Sequence, residues 1–169
     1  MSTEKNTTHT GGAPAIRSDD ELRQVALAHI ADTRIGLLAI TREDGVPTIR
    51  PMGFAPIETG AADVYFTAPT ASEKARSLRL HPRVNLFLQG PLSDISAYKA
   101  VSLVGEAVEL AHESAEFQTA VAALSARMPF FKARAEKGDL SASAIFRVRT
   151  AELRLSDYAQ KTGLALVPL

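Results

Sequence analysis

The sequence predicts a mainly β domain, an antiparallel barrel with a few helices appended, and three observations carry that expectation. Apolar residues recur in runs of strand length, several of them alternating with polar residues at period two. Most runs are joined by turns too short for the crossover that a parallel pair requires, and two of those turns contain Gly. No Gly-x-Gly-x-x-Gly follows a strand, so nothing marks a doubly wound nucleotide-binding sheet. Closing such strands on themselves buries one face of each and removes the edges.

Taken in order, residues 1–16 are polar and read as a disordered tail, and residues 17–169 as a single domain. Ser18-Asp-Asp-Glu21 is a capping box, in which a hydroxyl caps the helix and Glu21 returns the bond; the helix runs to Asp32. Leu22, Val25, Ala26, His29 and Ile30 form its inner face. Arg34 to Thr41 is a strand, Glu43-Asp44-Gly45 a turn, and Val46 to Phe54 the returning strand of a hairpin. A turn at Thr59-Gly60 leads to a strand over Asp63 to Thr67. Ser72 to Leu80 has helical spacing, with Ala75, Leu78 and Leu80 facing inward, and His81-Pro82 stops it.

Arg83 to Gln89 alternates strictly, placing Val84, Leu86 and Leu88 on one face. Tyr98 to Leu110 is a long strand with a bulge or bend expected at Gly105. His112 to Arg127 reads as an amphipathic helix, Met128-Pro129 as a break, and Phe130 to Lys137 as a further helical piece. Two final strands cover Ala144 to Arg149 and Glu152 to Leu155.

Composition narrows the function. Nineteen basic residues balance nineteen acidic ones, which argues against nucleic acid as the main partner, since neutralising phosphates takes a basic surplus. There is no Cys, so thiolate nucleophiles, disulfides and cysteine metal sites are excluded. No apolar run has the length of a membrane span and no export signal is visible, so a cytoplasmic location is expected, with no membrane partner. His9, His29, His81 and His112 lie far apart without metal-ligand spacing, and no Gly-x-Ser-x-Gly elbow or phosphate loop occurs. Hydrolytic and metal-dependent chemistry is therefore not expected.

Two segments carry possible chemistry. In Tyr65-Phe66-Thr67-Ala-Pro-Thr70-Ala-Ser72-Glu73-Lys74 a strand ends in a hydroxyl residue and a helix opens with Ser and Lys in its first turn. Unpaired N–H groups there, with a hydroxyl and an ammonium, suit a phosphate; a plain helix cap with a solvated lysine is the other reading. In Thr48-Ile-Arg50-Pro51-Met52, period two puts Thr48, Arg50 and Met52 on one face. Arg50 can pair with an acid, stand at an edge, or donate to a ligand. Pro47 and Pro51 lack N–H groups, so part of this strand belongs at a sheet margin.

In this order, Gly45-Val-Pro47…Arg50-Pro51-Met52, Tyr65-Phe66-Thr67, Ser72-x-Lys74-x-x-x-Leu78-x-x-x-Pro82-Arg83-Val84 and Val101-x-Leu103-x-Gly105-x-Ala107 resemble the pyridoxamine 5′-phosphate oxidase-like flavin-binding proteins. The small general-stress-protein branch is the most similar. The resemblance spans about residues 20–110 and implies a six-stranded antiparallel split β-barrel. It also implies a homodimer with FMN held between the subunits and a small-molecule substrate for a flavin-dependent oxidoreductase. On that resemblance Arg50, Pro51 and Met52 lie against the flavin ring, Phe66 and Thr67 line the ring and ribityl chain, and Ser72 and Lys74 hold the phosphate.

The chain also departs from the oxidase. Glu73 stands where the oxidase has a basic residue, Ala55 where it has a ring-contacting lysine, and the later-strand Gln falls near Ala100. These departures argue against the vitamin B6 reaction itself. A deazaflavin coenzyme, its phosphate meeting Lys74 and Arg76, is one alternative. A non-catalytic flavin or haem protein, with His112 as the haem ligand, is another.

Overall fold

The structure is a computed structural model that describes residues 18–58, 62–90, 94–160 and 162–169. The expected tail and the Thr59-Gly60 turn lie outside the described residues. In order come α1 (Asp19–Asp32), β1 (Ile35–Thr41), β2 (Pro47–Pro56), β3 (Val64–Pro69), α2 (Glu73–Leu80), β4 (Arg83–Gln89), β5 (Lys99–Glu109), α3 (Ala115–Arg127), α4 (Pro129–Glu136), β6 (Ser143–Asp157) and β7 (Thr162–Val167).

The strands pair in the order β3-β2-β1-β4-β5-β6-β7, and a β3–β6 pairing closes the first six into an antiparallel barrel. This is the split-barrel class expected, with β7 added beside β6. The capping box of α1 forms on both sides, from Ser18 and Glu21. The β1–β2 hairpin turns at Gly45, whose φ of 82° is the left-handed conformation that favours glycine.

Two apolar cores follow from strand alternation. On β3, Val64, Phe66 and Ala68 point into the barrel with Leu38, Phe54, Leu86, Leu103 and Phe146, and Phe66 stacks on Phe146 at 5.4 Å. Tyr65, on the opposite face, joins Ala55, Ile145, Phe117, Leu124, Met128 and Phe131 in a second core between the barrel wall and the α3–α4 pair. Each large side chain buried there contributes roughly 1.5–3 kcal/mol of burial. Phe131 is buried and Phe130 exposed, so the helical pieces after His112 are packed onto the barrel by one face. The first helical residue is Ala115 rather than His112, because Ser114 takes the cap and accepts from the Phe117 N–H.

Three expectations need correction. The two final strands are one, β6: pairing with β5 continues past a register shift in which Gly105 faces Thr150 and Val104 faces Glu152, leaving Ala151 as the extra residue. A Cβ at Gly105 would lie 2.0 Å from the Arg149 carbonyl oxygen, so the bulge requires glycine there. The strand β7 was not anticipated; it pairs with β6 through Leu153 and Val167 while Leu164 and Leu166 stay exposed. Leu80 is 60% exposed, and the buried third residue of α2 is Ser77. The margin expected from Pro47 and Pro51 is present, since β2 pairs with β1 over residues 47–53 but with β3 only from Phe54 onward.

Candidate functional site

The half of β2 that lacks β3 lies beside the start of α2, and the two bring Arg50 and Lys74 to one place. Thr48, Arg50 and Met52 share one face with their cross-strand partners Ile40, Leu38 and Gly36, as period two requires. Met52 is buried, whereas Arg50, closer to the unpaired margin, is exposed. Ser72 caps α2: its Oγ accepts from the Ala75 N–H at 3.2 Å and donates to the Pro69 carbonyl at 2.7 Å. Its hydroxyl is thus engaged in holding the first turn in position.

Lys74 sits in that first turn, half-buried, with Nζ 3.5 Å from the Met52 sulfur. Among the described residues it makes no ion pair. Burial, and secondarily the Arg50 charge, holds its ammonium below the usual lysine range. A cation desolvated at a helix N-terminus beside a guanidinium is an electrostatic deficit that an anion would relieve.

The neighbouring cations are compensated. Glu73 lies 3.0 Å from the Arg42 guanidinium and 3.4 Å from that of Arg50, and Arg42 also meets Asp44 at 3.0 Å. Arg76 pairs with Glu43 at 2.8 Å and donates to the Ala71 carbonyl at 2.8 Å. Arg50 thus pairs with an acid, which is one of the three roles its sequence context allows.

The remaining candidates are dispersed. Pro51 faces the other side of β2 and is exposed. Phe66 has no exposed surface and its side chain belongs to the barrel core. Thr67 is half-buried and donates to the Ala144 carbonyl at 3.0 Å. The structure therefore unites Arg50, Met52, Ser72 and Lys74, leaves Thr67 on the adjoining strand, and removes the Phe66 side chain and Pro51 from that cluster. Ala55 is buried against α3, so the helix pair covers the position where the oxidase lysine falls.

Sequence reasoning missed Arg42, which reaches the site only because the hairpin turn lies near α2. It also missed a second network, in which Arg147 of β6 bonds Asp63 at 2.7 and 2.9 Å and Glu116 at 2.9 Å. Glu116 also accepts from Tyr65 Oη at 3.4 Å. An Arg inside the alternating run Phe146-Arg-Val148 was the available signal. Among the described residues no group of three or more potential ligands could hold a metal, and no helix is long and apolar enough to cross a membrane.

Comparison with known sequences and structures gives a family and a set of similar folds. The family profile described as pyridoxamine 5′-phosphate oxidase matches residues 20–157. A search of curated proteins found no match. The fold is similar to a haem-binding protein from Mycobacterium smegmatis, with 21% identity and a TM-score of 0.70 over 90% of this chain and 60% of that one. It is similar to a conserved hypothetical protein from Mycobacterium tuberculosis, with 22% identity and a TM-score of 0.69 over 88% of this chain and 90% of the other. A Clostridium acetobutylicum protein related to general stress protein 26 superposes with a TM-score of 0.65 and 12% identity, over 89% of this chain and 97% of that chain.

Proposed function

This chain belongs to the pyridoxamine 5′-phosphate oxidase family, and from that premise we propose that it binds FMN and acts as a flavin-dependent oxidoreductase of the general-stress-protein branch. The observation that carries the reading is Lys74, a desolvated ammonium at the start of α2 without a carboxylate of its own. Lys74 and the first-turn N–H groups that Ser72 holds in place would take the phosphate. Arg50 and Met52 would stand toward the ring, with Thr67 on the next strand along the ribityl side. Phe66 supports the wall from within the core, and Pro51 keeps the β2 margin free of a donor. Bound there, FMN supplies the two-electron chemistry, and the protein supplies orientation and charge. Arg50 is the group available to stabilise negative charge on a reduced ring. The substitutions at Ala55 and Ala100 favour a small-molecule substrate other than pyridoxamine phosphate.

The proposal includes a homodimer. Ile35, Leu37 and Ile49 are exposed at 64%, 36% and 59% on the outer face of the β1–β2 hairpin, beside Phe87 of β4, an apolar surface suited to a second copy of the chain. Ile49→Asp should convert the dimer to monomer in sedimentation velocity; a wild type that already sediments as a monomer refutes this part.

A second reading has one observation behind it. His112 is exposed and stacked on Phe117 at 4.4 Å, and the Mycobacterium smegmatis protein of similar fold is described as haem-binding. An absorption spectrum separates the two. Added FMN should bind saturably and shift its visible bands, with no Soret band appearing on addition of haem. A Soret band lost in His112→Ala, with flavin bands unperturbed, would transfer the site to haem. A deazaflavin coenzyme that binds where FMN does not would keep the site and change the cofactor.

A further inference from the structure

Glu73 is the feature of the site that the flavin reading leaves unexplained. It is a carboxylate adjacent in sequence to the lysine assigned to the phosphate, and it does not turn away from the cations. It lies 3.0 Å from Arg42 and 3.4 Å from Arg50, and so spans the guanidiniums of the hairpin turn and of β2. The third arginine, Arg76, is engaged by Glu43 and the Ala71 carbonyl. A phosphate arriving at Lys74 therefore finds each nearby guanidinium already provided with a carboxylate. It also meets the repulsion of Glu73, which carries its charge in the same helical turn.

We infer that Glu73 acts as an internal counter-anion that cancels most of the site's preference for a phosphate dianion, so that the flavin is an exchangeable ligand recognised chiefly by its ring. This rests on the flavin reading and adds to it a residue that limits affinity and selects by charge. Two effects act in the same direction. The carboxylate repels the phosphate directly, and it holds Arg42 and Arg50 in pairs that the phosphate would have to break. The groups are partly exposed, with side-chain exposures of 41% for Arg42, 45% for Arg50 and 44% for Glu73, so solvent screens both effects to a moderate size.

The test compares FMN with riboflavin, which shares the ring and lacks the phosphate. Dissociation constants for both are measured by quenching of flavin fluorescence on wild type, Glu73→Gln and Glu109→Gln. Glu109 pairs with Arg79 in the last turn of α2, so its variant makes the same change in net charge without removing a partner of Arg42 or Arg50. Wild type should bind FMN no more than about tenfold tighter than riboflavin, and Glu73→Gln should widen that advantage by a further tenfold or so, mainly through slower FMN release. The added advantage should shrink as salt rises, and Glu109→Gln should behave as wild type. Equal FMN-to-riboflavin ratios in wild type and Glu73→Gln overturn the inference while leaving the flavin site in place. Failure of all three proteins to bind either flavin is a different result: it overturns the flavin reading and this inference with it.

Discussion

Arg147 and Arg50 both stand on barrel strands, and their surroundings differ in one respect that matters. Arg147 meets two carboxylates, Asp63 and Glu116, and the network is closed further by the Thr150 N–H donating to Asp63 at 2.8 Å and by Tyr65. Its guanidinium is held above the ordinary arginine range, chiefly by the bond to Asp63. Arg50 shares a single carboxylate with Arg42, next to a lysine whose nearest partner is a thioether. The first network is complete within the chain and ties β3, β6 and α3 together. The second has more cations than carboxylates and opens at a sheet margin. The difference separates an ion network closed within the chain from the cluster proposed as the ligand site, where Lys74 has a thioether rather than a carboxylate beside it.

The largest effect expected from this contrast is on stability. Arg147→Ala leaves Asp63 and Glu116 without their cation in a half-buried setting and should cost about 2–3 kcal/mol. In a domain of this size that lowers the melting temperature by about 5–10 °C in a thermal scan. An unchanged melting temperature would erase the distinction. Lys74→Met should have the opposite sign, because it removes a desolvated charge while keeping an apolar stem; a gain of up to about 1 kcal/mol is expected at neutral pH. The gain should diminish in alkali. With its pKa lowered in the folded state, Lys74 costs stability while protonated, and wild type recovers that cost as pH rises through the lowered value toward 10.5.

The smallest effect concerns a group between these extremes. His29 of α1 bonds the Leu88 carbonyl at 3.1 Å through Nε2, and burial holds its pKa below 6.5. A lowered histidine pKa means that the unfolded chain takes up the proton first. Stability should therefore be complete above pH 6.5 and decline as pH falls below it, by less than about 1 kcal/mol given the partial exposure. Chemical denaturation of wild type and His29→Gln at pH 7.5 and 5.5 checks this, and the variant should show the flatter dependence.

What the sequence made legible follows the range of each interaction. The capping box of α1, the alternation of β4 and the bulge at Gly105 are local patterns, and all three appear as expected. The continuity of β6 was not legible. Ala151 interrupts the alternation in sequence, and only the partner strand shows that the interruption is a bulge rather than a turn. In the site, Ser72 and Lys74 were visible from their spacing after β3. That Glu73 would pair with Arg42 and Arg50 was not, since it depends on the hairpin and α2 meeting from distant parts of the chain. The resemblance sets Phe66 with Thr67 along the ring, and the parity of β3, visible only once its pairing is known, turns the Phe66 side chain into the barrel.

The most direct test of the central claim is an FMN titration of Lys74→Met and Arg147→Lys beside wild type, with the melting temperature of each recorded. Lys74→Met should be at least as stable as wild type and bind FMN several-fold more weakly, approaching the affinity for riboflavin, while Arg147→Lys should lose stability and keep its affinity for FMN. A folded Lys74→Met that binds FMN as tightly as wild type would contradict the assignment of the open cation cluster as the ligand site.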